Sequence, residues 1–72
     1  MARVAAIGER VRVQGFRLAG ALVFDAEEPT TVRAAWDGLP VDVAVVVLTP
    51  ASAAALGRDL DATKRLTVVM AP

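Results

Sequence analysis

Gly8 and Glu9 directly follow a short apolar run, Arg3 to Ile7, so the sequence sets a polar group at the carboxyl end of a first strand. Open α/β sheets commonly bind ligands at that end, which makes Gly8-Glu9 the first position to ask for chemistry. A dinucleotide site needs further glycines at Gly-x-Gly-x-x-Gly spacing, and a phosphate loop needs Gly-Lys-Ser/Thr, so that several backbone N–H groups aim at one anion. Neither spacing occurs after Gly8. Phosphoacceptor chemistry of the receiver type needs carboxylates gathered at strand ends around magnesium. Here the third apolar run ends Leu48-Thr49-Pro50, and only Glu9 follows the first. A plain turn is the better reading of Gly8.

The remaining reactive side chains lack company. Thr49, Ser52 and Lys64 need an adjacent base to act as nucleophiles, and the sequence places none beside them. Cysteine is absent, which removes disulfides, thiol chemistry and zinc-thiolate sites. Histidine is absent too, and with it the usual metal ligand and proton shuttle. Glu27, Glu28, Asp59 and Asp61 hold a cation only if the fold gathers them, which nothing in their spacing implies. The expectation is a chain with no catalytic, cofactor or metal site.

Charge and aromatic placement point toward binding instead. Arg10, Arg12 and Arg17 put positive charge on one short stretch, with Glu9 as the nearby acid. A solvated helix face is the plain account of this stretch. The functional account is docking onto acidic side chains of a partner, where arginine forms paired hydrogen bonds and is enriched. Phe16 and Trp36 are each expected to be core or an interface anchor. Glu9, Arg10, Arg12, Phe16 and Arg17 therefore form the candidate partner-binding set. Eight basic and eight acidic residues cancel, so no general field recruits nucleic acid or an anionic membrane.

These residues must be positioned by a small core. A 72-residue chain buries only about 60% of its unfolded surface, so association is a live expectation. Arg3–Ile7 and the valine-rich Val41–Leu48 read as strands buried on two faces, as in a helix-covered parallel sheet. Between them, Arg10, Gln14 and Arg17 recur at helical spacing and leave Val11, Gly15, Leu18 and Ala19 on another stripe. Gly20 stops that helix and Ala21–Phe24 is a further strand. Pro29 opens a helix ending at Asp37, with Val32, Ala35 and Trp36 on one face. Thr49 caps a third helix that starts at Pro50 and crosses Gly57 to about Ala62. Leu66–Met70 closes the chain as a strand.

The order βαβαβαβ predicts one α/β domain over 1–72, a doubly wound, flavodoxin- or receiver-like parallel sheet of strand order 2-1-3-4. Right-handed crossovers then set the first and third helices on opposite faces. Leu66–Met70 falls at an edge, where an apolar strand tends to pair with another chain, so a homo-oligomer is expected. The longest apolar run is far short of the ~20 residues that span a bilayer, and the first residues lack a secretory pattern. A cytoplasmic location is the expectation.

Ile7-Gly8-Glu9, leading into Gly15-Phe16-Arg17-Leu18-Ala19-Gly20, resembles the opening of the F subunits of rotary V-type ATPases. Val41–Thr49 is similar to that family's third strand with its terminal threonine, and Val68–Pro72 to its last strand. The resemblance spans the chain, while the family continues into a C-terminal helical segment beyond the point where this sequence stops. It implies a non-catalytic rotor component of the central stalk that rides on the coiled-coil shaft of the D subunit. Its work would be mechanical, coupling ATP turnover in the head to ion movement in the membrane ring, with membrane contact only through the complex. The competing reading is a stand-alone oligomerising or small-ligand binding module on the same fold.

Overall fold

The structure is a computed structural model that describes residues 3–71; Met1, Ala2 and Pro72, on which parts of the leader and last-strand readings fall, lie outside the described residues. Its strands are β1 (Arg3–Gly8), β2 (Leu22–Asp25), β3 (Val43–Leu48) and β4 (Leu66–Val69). All pair in parallel, in the order β2-β1-β3-β4. Short apolar runs that cannot be joined by tight turns leave the intervening segments to fold as crossovers. The α/β fold and strand order expected from the sequence are therefore what the chain adopts.

The helices sort by handedness. α1 (Arg10–Val13), continued by a 3₁₀ segment (Gln14–Ala19), packs against β1 and β2 on one side of the sheet. α2 (Pro29–Asp37) and α3 (Pro50–Leu56) pack against each other on the opposite side. That division follows from right-handed connections running first outward to β2 and then back across β1 to β3 and β4. α2 has the predicted limits, because Pro29 presets the first turn and the i, i+3, i+4 set Val32, Ala35 and Trp36 faces the sheet.

Pairing register assigns every strand residue to a side. Ala5 and Ile7 of β1 lie beside Leu22 and Phe24 of β2 and beside Val46 and Leu48 of β3. These residues meet Val32, Trp36, Leu39 and Leu56 in the main core. Each fully buried aliphatic side chain there contributes about 1.5–3 kcal/mol relative to its exposed state. Trp36 is thus a core residue. On the other side, Ala6 and the α1 residue Val13 are the fully buried pair.

Three local expectations need correction. The segment after Glu9 is a single α-turn followed by 3₁₀ geometry, so a 3.6-residue stripe cannot persist. Val11 and Leu18, expected on its apolar stripe, are 79% and 95% exposed. The third helix does not cross Gly57, whose φ of 53° stops α3 before a separate short helix α4 (Asp59–Ala62). Val41 stands outside β3 and is 99% exposed, and within β3 a register shift leaves Ala44 unpaired and exposed. The run Val41–Leu48 is therefore fully enclosed only in part.

Candidate functional site

The carboxyl ends of β1 and β3 meet at Gly8, Glu9 and Thr49. Thr49 is fully buried and caps α3, its Oγ1 accepting from the Ser52 backbone N–H at 3.3 Å. The same Oγ1 lies 3.0 Å from Glu9 Oε1 and 3.0 Å from Ser52 Oγ. A carboxylate only accepts, so the single threonine proton goes to Glu9 and the proton shared with Ser52 comes from the serine. Both buried hydroxyls are thus fully engaged in holding the start of α3, a cap worth about 1 kcal/mol.

Gly8 belongs to this arrangement. A Cβ placed there would stand 2.1 Å from Thr49 Cγ2 and 2.6 Å from its Oγ1. The threonine side chain fills the notch at the strand end, and the glycine is required by that contact. Glu9 Oε2 faces Arg12 Nε at 3.6 Å, while Arg12 Nη1 donates to the Ala71 carbonyl at 3.2 Å. Arg12 therefore links the first helix to the chain just past β4.

The structure separates the expected partner-binding residues into two groups. Glu9 and Arg12 are adjacent and engaged as described. Arg10 and Arg17 lie further out and line, with Val13, Gln14, Val23 and Asp25, a cleft of about 200 Å³ over β2. Neither takes part in an ion pair among the described residues. Phe16 is half-buried and stands apart from the main core.

Other charged groups tie elements together. Arg3 Nε and Nη2 donate to Asp42 Oδ2 and Oδ1 at 2.6 and 2.8 Å, across the amino ends of β1 and β3. This fork of hydrogen bonds holds the Asp42 carboxyl below its ordinary range and raises the Arg3 guanidinium. Arg33 of α2 pairs with Asp59 of α4. Arg65 donates to the Val43 and Pro40 carbonyls at 2.8 and 3.0 Å, beside an open cleft of about 390 Å³ at the amino ends of β3 and β4. Glu27, Glu28, Asp59 and Asp61 form no metal-holding group among the described residues.

The Glu9–Thr49 contact and the tie from Arg12 to Ala71 are not legible in the sequence, since they join positions 40 and 59 residues apart. Thr49 as a helix cap is legible from Thr-Pro. β4 lies at the sheet edge as expected, and Leu66, Val68 and Val69 are 63%, 47% and 49% exposed. The apolarity of that strand is visible in the sequence; that it stays uncovered is not.

The family model of the ATP synthase (F/14-kDa) subunit matches residues 4–72. Among curated proteins, none matches the sequence. No helix of the described residues is long and apolar enough to cross a membrane.

Proposed function

The chain belongs to the family of the ATP synthase (F/14-kDa) subunit, that of the F subunits of V-type ATPases, and from this premise we propose that it is a non-catalytic component of the central stalk of a rotary ATPase. In this reading the domain rides on the coiled-coil shaft formed by the D subunit. It stiffens the rotor that couples ATP hydrolysis or synthesis to ion transport, in the cytoplasm and peripheral to the membrane. The observation that carries the reading is the family match over residues 4–72, which takes in all four strands. A close-packed sheet supplies the rigidity that torque transmission needs.

Glu9, Arg10, Arg12, Phe16 and Arg17 form the docking surface in this proposal. Arg10 and Arg17, free of ion pairs among the described residues, offer guanidinium forks to acidic residues of the shaft. The assignment is tested by co-purification of this chain with the coiled coil of the D subunit. Retention on the shaft, weakened by Arg10→Glu with Arg17→Glu and by added salt, is the expected result. A folded domain that never co-elutes with the shaft overturns it.

A stand-alone oligomer is the second reading, favoured by one observation: β4 is an edge strand with apolar side chains exposed on both sides. Such an edge pairs with a second copy. Analytical ultracentrifugation at high concentration decides it, and a monomer ends it.

A further inference from the structure

The cleft over β2 gathers polar side chains that the fold itself does not use. Side chains alternate along β2, so Leu22 and Phe24 turn to the main core while Val23 and Asp25 stand on the side that carries α1. Arg10, Gln14 and Arg17 reach the same ground from α1 and the 3₁₀ segment, and with the buried Val13 they enclose about 200 Å³. The cleft lies at the edge of the sheet opposite β4.

The partners of the arginines set this cleft apart. Arg3, Arg12, Arg33 and Arg65 each donate to a carboxylate or a backbone carbonyl and so tie elements together. The side chains of Arg10, Gln14, Arg17 and Asp25 make no hydrogen bond or ion pair among the described residues. Two guanidiniums, an amide and a carboxylate thus share one cleft without bonding to one another.

Their order along the cleft describes a ligand with two ends. Asp25 pairs with Gly8, two residues before Arg10, and so lies at the carboxyl end of the sheet. Arg17 lies at the amino end, just before the Gly20 turn that leads into β2. The segment rises about 1.5 Å per residue to Val13 and about 2.0 Å beyond it, which spaces Arg10 and Arg17 by about 12 Å with Gln14 between them. The two arginines outweigh Asp25, so the cleft favours an anion, and guanidinium forks match the oxygens of a phosphate. Asp25 only accepts, so its end suits a hydroxyl. Pockets for drug-sized molecules run about 300–1,000 Å³, which limits this one to a single phosphoryl group on a short stem.

We propose that the cleft binds a small phosphate monoester, its phosphoryl oxygens on Arg17, Gln14 and Arg10 and a hydroxyl of its alcohol part on Asp25. Binding here does not require the stalk reading. Where that reading holds, the phosphate takes up the two forks offered to an acidic partner, and the two compete.

The test titrates the ¹⁵N-labelled chain with glycerol phosphate and with inorganic phosphate at constant ionic strength, read by NMR. Expected are saturable shifts at the Gln14 side-chain amide, the Arg10 and Arg17 Nε–H groups and the Val23 backbone amide, with glycerol phosphate bound several-fold tighter. Arg17→Ala should weaken binding about ten-fold, and Asp25→Ala should abolish the preference for the glycerol ester. Arg58→Ala, on the exposed turn before α4, should change nothing. Shifts that never saturate, or that are as large at Arg58 as at Arg17, overturn the proposal. Equal affinity for the two probes in the unaltered chain overturns it as well. Each of these outcomes leaves retention on the D-subunit shaft, the measure of the stalk reading, unaffected.

Discussion

The two sides of the sheet are built from the same residue types and end in different states. Beneath α2 and α3, Ala5, Ile7, Val46 and Leu48 are fully buried. On the side that carries α1, Ala6 is buried, yet Val4, Leu66 and Val68 reach water. Hydrophobic sequence alone does not decide burial; the number of helices that a right-handed topology delivers to each side does. Order βαβαβαβ sends one crossover to one side and two to the other, so the deficit lies over β3 and β4.

The sharpest way to break the contrast is to remove volume from the closed side. Ile7→Ala should cost about 2–5 kcal/mol, seen as a lowered urea midpoint, because the surrounding residues cannot collapse into the gap. A cost below about 1 kcal/mol would mean that this side packs as loosely as the other. Next in size is Gly8→Ala, whose methyl meets Thr49. A loss of about 1–3 kcal/mol is expected there, with partial recovery in the double variant carrying Thr49→Ser, which removes the Cγ2 methyl group in the way.

The open side predicts near-indifference. Val68→Lys should change stability by no more than about 0.5 kcal/mol, as exposed positions do. A large loss would show that the strand is covered in solution. The smallest effect concerns the rim of the sheet. The folded Asp42 carboxyl lies below its ordinary value, so its pairing with Arg3 supports the fold above that value and is lost as pH falls through the lowered one. Both groups are well exposed, so the gain is slight. The difference in urea midpoint between wild type and Asp42→Asn should therefore be detectable at neutral pH and vanish in acid.

Much of the fold is readable because the punctuation is strong. Pro29 and Gly38 bracket α2, and Thr49-Pro50 opens α3, through local backbone constraints that tertiary packing does not override. The first helix resists reading because its register depends on where the α-turn gives way to 3₁₀ geometry, which happens directly after the buried Val13. Gly57 carries no local signal that separates a tolerated helical glycine from one at positive φ. The candidate site is less legible still. Glu9 and the arginines announce themselves by charge, whereas the exposed valines of β4 look in sequence like those of the core.

The unpaired Ala44 sets which valines the interior receives. Because β3 holds one more residue than β1 requires at that point, Val43 turns inward beside Leu39 while Val45 turns to the opposite side. A chain lacking Ala44 would keep Val43 and Val46 on their present sides and merely straighten the strand. Loss of Val46 instead would draw Val45 into its inward place and Ala44 into the outward place of Val45, so the bulge absorbs the deletion and Val43 keeps its side. Tolerance to shortening therefore extends from Ala44 to Val47, because the spare residue at the bulge makes good a single loss anywhere in that stretch.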